Sequence, residues 1–236
     1  MGLKLTGENI ATLIMDGSTI ILACGLFTQT NIMRRRGRKD DRLFFLMLFF
    51  DVIAAVADIV TYIADGKDFW GARYFNLGGT TVFYIALVLL TMIFYQYSLA
   101  RFKKPGESGH SHKVFFIPGL ITEALLLVNL FTGIFYYVDE KNAYHYGRLF
   151  IMLFVVMGVY LAAAFVHMAR YRHGETGKSL IPVWIYMLPI LAGVWVPFVF
   201  GGISITSICI AVAIAFTHLG SAAEAVNDNK EYGEEL

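Results

Sequence analysis

The fold is decided by one stretch of the chain, 43-LFFLMLFFDVIAAVADIVTYIA-64, which contains only two charged side chains, Asp51 and Asp58. A helix needs about 20 mostly apolar residues to cross the hydrocarbon core of a bilayer. The segment immediately before it is rich in arginine and lysine, which is typical of a membrane boundary. We therefore expect a transmembrane helix that carries two acids inside the membrane.

Six further apolar stretches have a similar length. With the first, they predict seven transmembrane helices over residues 10–33, 43–64, 80–100, 114–137, 149–169, 181–200 and 203–219. Only two glycines separate the last two, which favours a tight turn. Charged residues make up 16% of the chain, against about 25% in a typical soluble domain. The predicted fold is an all-α integral membrane protein, a seven-transmembrane helix bundle.

Basic residues collect in alternate connections, and this asymmetry predicts the orientation. They are dense in segments 34–42, 101–113 and 170–178 and sparse in the other connections. Because cytoplasmic loops carry the excess of lysine and arginine, we expect the N-terminus outside and the C-terminus inside. The expected location is the plasma membrane, with a multi-pass transmembrane domain over residues 1–219. Residues 220–236 are expected to form a cytoplasmic tail.

Four carboxylic acids lie inside the predicted spans: Asp16, Asp51, Asp58 and Glu123. An acid at the centre of a membrane helix costs about 2.5 to 3.5 kcal/mol on insertion scales. No lysine or arginine lies within a span, so we expect the acids to face the bundle interior. Three roles stay open at this point: helix-to-helix contact, ligand contact and proton sensing. The expected polar neighbours are Ser18, Thr19, Tyr84, Tyr95 and Asn129.

Several protein classes are excluded or disfavoured by what the sequence lacks. All nine lysines lie outside the spans, so no residue can hold retinal as a Schiff base. No protease, hydrolase or phosphate-binding motif occurs, and we expect no catalytic residue, no cofactor and no metal site. Without a basic patch on a soluble module, we expect no nucleic-acid partner. Pro189 and Pro197 in the sixth span are candidate hinge residues.

One connection carries a recognisable pattern, 129-NLFTGIFYYVDEKNAYHYG-147. It resembles the loop after the fourth helix in bacterial seven-transmembrane sensor modules, which usually precede histidine kinase or GGDEF diguanylate cyclase domains. The family pattern is approximately N-x-x-x-G-x-x-F-x-x-D followed by Y-x-R-G. Asn129, Gly133, Asp139 and Gly147 match it, and Tyr146 stands where the family often has arginine.

The resemblance implies that residues 1–219 are a seven-helix transmembrane sensor domain, a signal-input module that binds an extracellular or membrane-borne small-molecule cue and relays a change in helix packing. It also implies that the tail, residues 220–236, begins a signalling helix. Its expected partners are the lipid bilayer, a small-molecule ligand, a second copy of the chain and a cytoplasmic output domain or protein. A small transporter or channel that uses the intramembrane carboxylates is the alternative, and a membrane scaffold is a third reading. The candidate ligand-binding residues are Asp16, Asp58, Trp70, Tyr74, Asn76, Glu123, Asn129, Asp139, Tyr144 and His145.

Overall fold

The computed structural model describes residues 7–33, 39–102, 113–174, 188–190, 192–193, 204–217 and 219. This part of the chain is mostly helical. The helices are α1 (Gly7–Met33), α2 (Lys39–Ala64), α3 (Ala72–Arg101), α4 (Ile117–Thr132), α5 (Phe150–Gly174) and the shorter α6 (Thr206–Thr217). A 3-10 turn at Lys113–Phe116 leads into α4, and two short strands, β1 (Tyr136–Val138) and β2 (Tyr144–Tyr146), separate α4 from α5.

Helices α1 to α5 are each long and apolar enough to cross a membrane, judged by length and composition. Large apolar side chains cover their outer faces: Ile21 is 75% exposed and Phe131 is 91% exposed. Such faces are stable where lipid replaces water. These features are typical of a membrane-embedded helical protein. The sixth predicted span lies mostly outside the described residues, and α6 covers part of the seventh.

Helix α3 occupies the centre of the bundle. It packs against α2, α4 and α5, while α1 packs against α2. Helices α2 and α3 approach each other closely at Gly79, where an added Cβ would lie 2.6 Å from Thr61 Oγ1 and 3.1 Å from the carbonyl oxygen of Ala57. Only glycine, which has no side chain, fits at this position. Gly79 therefore allows α2 and α3 to pack at short distance.

Helix α4 ends five residues earlier than the sequence predicts, at Thr132 and not at residue 137. Gly133 adopts φ 63°, and its N–H donates to the carbonyl oxygen of Asn129 at 2.9 Å. This left-handed glycine ends the helix and reverses the chain into the β1–β2 hairpin. The expectation of an all-α fold is therefore corrected by one two-stranded sheet.

Helix α3 begins at Ala72, eight residues before the predicted start at residue 80. Its first turns carry polar residues such as Arg73 and Asn76, which hydropathy places outside a span. Arg73 donates to the carbonyl oxygen of Val138 at 3.1 Å. The polar start of α3 is therefore explained by its contact with the hairpin.

Candidate functional site

The β1–β2 hairpin is closed by a turn that Asp139 organises. The strands are antiparallel and pair Tyr137 with His145. Asp139 Oδ1 accepts the backbone N–H groups of Lys141 and Ala143, both at 2.9 Å. Asn142 sits in the turn at φ 60°, a left-handed conformation that asparagine tolerates better than most residues.

Asn142 fastens this hairpin to the connection between α2 and α3. Its Nδ2 donates to the carbonyl oxygens of Ala64 at 2.6 Å and Lys67 at 2.9 Å. In return, the N–H of Gly66 donates to the Asn142 carbonyl oxygen at 2.8 Å. The two connections, residues 65–71 and 133–149, therefore form one joined surface, which we call the hairpin end of the bundle.

Asn76 on α3 completes the junction. Its Nδ2 donates to Asp65 Oδ1 at 2.9 Å and to the carbonyl oxygen of Asn142 at 3.1 Å. Asp65 Oδ1 also accepts the N–H of Tyr144 at 3.0 Å. Asn76 is fully buried. We call Asp65, Asn76 and Asn142 the amide clamp, because their side chains hold α3, the α2–α3 connection and the hairpin together.

Asn129 has a similar structural task at the end of α4. Its Oδ1 accepts the N–H of Phe135 at 2.7 Å, and its Nδ2 donates to the carbonyl oxygen of Tyr136 at 3.0 Å. It therefore satisfies backbone groups of the reversing chain. The structure places Asn76 Nδ2 and both polar side-chain atoms of Asn129 in internal hydrogen bonds, and Asn76 Oδ1 accepts none from the described residues. Their role in ligand binding stays a prediction.

Three tyrosines fill the space between the hairpin and α3. Tyr144 OH lies 3.2 Å from Tyr84 OH, and Tyr136 OH donates to Thr81 Oγ1 at 2.9 Å. Burial raises the pKa of Tyr136 to about 12 and raises the pKa of Tyr144 as well. Both phenols outside the spans therefore keep their protons at neutral pH. Tyr144, a predicted ligand residue, is part of this packing.

The remaining predicted residues of the hairpin end are exposed. Asp139 Oδ2 and His145 Nε2 lie 3.0 Å apart. The Ala143 N–H and the His145 side chain hold the pKa of Asp139 below its usual value. Trp70 is 96% exposed, and Tyr74, 83% exposed, borders an apolar groove between α2 and α3. The structure does not gather these side chains into one enclosed pocket.

The groove beside Tyr74 has a volume of about 430 Å³ and opens towards the outer face of the bundle. Its lining is apolar, with valines and alanine from α2 and Phe75 and glycines from α3. None of the intramembrane acids lines it. This groove is suited to the lipid surface and not to a charged ligand.

Three intramembrane acids form a separate cluster. Asp16 on α1 and Asp51 and Asp58 on α2 are 1%, 0% and 6% exposed, so they face the bundle interior, as predicted. Asp16 lies close enough to interact electrostatically with both other acids. Asp51 and Asp58 are two helical turns apart, about 10 Å along α2. We call these three residues the acidic cluster.

The cluster lacks ordinary partners among the described residues. Neither oxygen of Asp16 or Asp51 accepts a hydrogen bond, and Asp58 Oδ2 accepts none. Two of the neighbours predicted from the sequence are used elsewhere: Ser18 donates to the carbonyl oxygen of Ile14 and Thr19 to that of Met15. The prediction was wrong for these two residues, whereas Tyr84 lies close enough to Asp58 to interact electrostatically. Such unpartnered buried carboxyl groups are unusual in a folded protein.

Residues near α6 lie beside the acids instead. Ser204 is next to Asp58, and Ser207 is next to Asp16. Ser207 is fully buried, and no hydrogen bond of normal geometry reaches its Oγ from the described residues. The N–H of Ser204 donates to Thr12 Oγ1 at 3.1 Å, which fixes the start of this segment against α1. No local sequence pattern could have indicated this contact, because the partners are 192 residues apart.

Glu123 does not join the cluster. It lies half-buried on α4, and its Oε1 has no hydrogen-bond partner among the described residues. Pro189 lies half-buried in a short helical piece, residues 188–190, and Pro197 lies outside the described residues. In the described ranges, no three histidine, cysteine, aspartate or glutamate side chains are arranged to hold a metal ion.

No protein-family model matches this chain, and no curated protein or solved structure gives a significant match. The resemblance of residues 129–147 to sensor modules therefore stays a prediction from the sequence.

Proposed function

We propose that the protein is a signal-input module of the plasma membrane, with seven spans, the N-terminus outside and the C-terminal tail in the cytoplasm. The observation that supports this most directly is the position of the acidic cluster. Asp16 on α1 and Asp58 on α2 lie beside Ser207 and Ser204, at the start of α6. A ligand bound there would contact α1, α2 and the last described helix together.

The energetics of buried acids explain how binding could move a helix. A carboxylate without a partner in a low-dielectric interior is costly, so the bundle relaxes to reduce that cost. A ligand that neutralises the acids removes the cost in one packing arrangement more than in another. Such differential binding is what shifts a conformational equilibrium. In this proposal α6 moves, and the cytoplasmic tail carries the change to an output domain or protein.

The hairpin end has a supporting role. The amide clamp joins the connections on both sides of α3 through buried hydrogen bonds. A rigid end of this kind gives the moving helices a fixed reference. In the proposed orientation it faces outside, and the exposed Asp139, His145 and Trp70 would be the first groups that an extracellular cue meets.

The rival function, a small transporter or channel, uses the same acids. Three carboxyl groups without a basic partner in any span would also suit a cation that passes through the bundle. The two functions differ in what they do after binding: a transporter moves the ion across the membrane, and a sensor moves a helix.

The test measures the position of α6 directly. Spin labels are attached to the full chain in nanodiscs at Val166→Cys on α5 and Leu219→Cys beyond α6, both exposed, in a Cys24→Ala, Cys209→Ala background. Asp58→Asn mimics a neutralised acid, and Glu123→Gln is the matched control outside the cluster.

We expect Asp58→Asn to shift the distance distribution between the labels and Glu123→Gln to leave it unchanged. An unchanged distribution in Asp58→Asn would contradict the sensor proposal. Cation flux into liposomes that depends on Asp58 would favour the transporter.

A further inference from the structure

We propose that the acidic cluster binds a small monovalent metal cation, Na⁺, between Asp16 and Asp58, with hydroxyl oxygens of Ser204, Ser207 and Thr12 as further ligands. The inference deepens the proposed function, since it names the ligand class of the same site. Binding itself can be measured without any signalling response.

The chemistry of the donors favours a hard cation. The described side chains that meet here offer oxygen atoms, from carboxylates on α1 and α2 and hydroxyls at the start of α6. Oxygen ligands select alkali and alkaline-earth ions over transition metals. The spans predicted from the sequence contain no lysine or arginine, so they offer the acids no ion pair inside the membrane.

Burial limits the size of the ligand. Asp16, Asp51 and Asp58 are at most 6% exposed, and the cavity beside Tyr74 is lined by other residues. An organic amine needs a cavity that surrounds its carbon atoms. A bare ion needs only the space between the oxygens that bind it. The geometry therefore favours a monatomic ion.

Ser207 supplies the independent observation. Its hydroxyl is fully buried and close enough to Asp16 for the two side chains to interact, yet no hydrogen bond of normal geometry reaches its Oγ within the described ranges. Buried hydroxyl groups normally have a partner. The Asp16 carboxylate on α1 and the Ser207 hydroxyl on α6 therefore lie near each other without a hydrogen bond of normal geometry. A cation between them satisfies both, whereas a hydrogen bond between them would leave the second carboxylate oxygen free.

The charge of the site favours a monovalent ion with few acidic ligands. A divalent ion bound by protein side chains alone commonly takes several carboxylates and six or more oxygens. Here no three acidic or histidine side chains of the described chain are arranged around one point. Asp51 is displaced by two helical turns from Asp58, so it adds negative potential without a place in the inner set of ligands.

The experiment measures ²²Na⁺ binding to the purified full chain in nanodiscs, and thermal stability in NaCl against choline chloride of equal ionic strength. We expect saturable ²²Na⁺ binding and a rise in melting temperature with NaCl alone. Asp16→Asn and Asp58→Asn should each weaken binding at least about tenfold. Ser207→Ala keeps both acids and should weaken it by a smaller factor, and Glu123→Gln should bind as the wild type does.

The proposal is overturned if the wild type binds no ²²Na⁺ between pH 6 and pH 9, or if binding survives in both asparagine variants. Absence of binding combined with a pH-dependent melting temperature would assign the acids to protons only. If Na⁺ binds but the labels on α5 and α6 do not respond to Asp58→Asn, the cation site stands and the signalling function fails. If the labels respond to Asp58→Asn but Na⁺ does not bind, the signalling function stands and the cation site fails.

Discussion

Asn76 and Asn142 are bonded through two acceptors: the Asn76 side-chain amide donates to the Asn142 carbonyl oxygen at 3.1 Å and to its Oδ1 at 3.3 Å. The two residues are 66 positions apart, one at the start of α3 and one in the turn of the hairpin. Their hydrogen bonds join the α2–α3 connection to the α4–α5 connection.

The first prediction concerns Asn142. Asn142→Ala removes the donor to the carbonyl oxygens of Ala64 and Lys67 and places a Cβ-bearing residue without a side-chain hydrogen bond at φ 60°. We expect a loss of about 1 to 3 kcal/mol from the unpaired acceptors, with added backbone strain. Asn142→Gly loses the same donor without the strain and should be less destabilised. Thermal unfolding in detergent compares the two variants, and equal stability of both with the wild type would refute the clamp.

The second prediction concerns Gly147, at the end of the hairpin. A Cβ here would collide with the carbonyl oxygen of Ile134 and lie 2.7 Å from the carbonyl carbon of Phe135. Gly147→Ala should therefore separate the strands and lower the melting temperature. Gly158→Ala is the matched control, because nothing lies within 4 Å of its added Cβ on α5. Similar melting temperatures for the two variants would contradict this packing.

The third prediction uses neighbouring glycines on α3. Gly79→Ala places a Cβ against Thr61 and the Ala57 carbonyl oxygen, whereas Gly78→Ala meets nothing within 4 Å. We expect Gly79→Ala to push α2 and α3 apart and destabilise the protein, and Gly78→Ala to be neutral. Adding Thr61→Ala should restore part of the loss, since it removes the nearest atom. Circular dichroism melts of the three variants provide the measurement, and a destabilised Gly78→Ala would argue against the assigned helix faces.

The fourth prediction is a pH dependence at Asp139. Its pKa is lowered in the folded hairpin, first by the Ala143 N–H and then by His145. A lowered folded pKa gives stability that is present above the unfolded value, about 3.9, and is lost as pH falls through the folded value. We expect the protection factors of amide hydrogen exchange in residues 136–146, which are corrected for the intrinsic pH dependence of exchange, to fall only in acid, below about pH 4. In Asp139→Asn this acid transition should disappear, and its persistence there would assign it to another group.

The apolar helices and the inward position of the acids could be predicted, because hydropathy and desolvation act on each segment separately. Asp16, Asp51 and Asp58 are buried for the reason that the sequence implies: no span offers a basic partner. The length of α4 could not be obtained in this way. Tyr136 and Val138 continue an apolar pattern that fits a helix as well as a strand, and the reversal depends on the conformation of Gly133.

The hydrogen-bond partners of Asn76 and Asn129 could not be predicted from the sequence either. A carboxamide near a membrane boundary can bind a ligand or satisfy backbone groups, and the residue type is the same in both cases. Asn76 and Asn129 are bonded inside the protein because the hairpin brings carbonyl oxygens and N–H groups to them. The contact of Ser207 with Asp16 depends on the packing of the last described helix against the first, which no local pattern encodes.

The amide clamp also determines which parts of the bundle can act as machinery. It joins the connection after α2 to the hairpin between α4 and α5, and α3 packs at the centre. These four helices therefore form one connected group. None of the clamp's hydrogen bonds involves α1 or α6, whereas the acidic cluster joins α1 to α2 beside the start of α6. In the proposed function, α6 would therefore move against a fixed group of helices whose own packing stays unchanged.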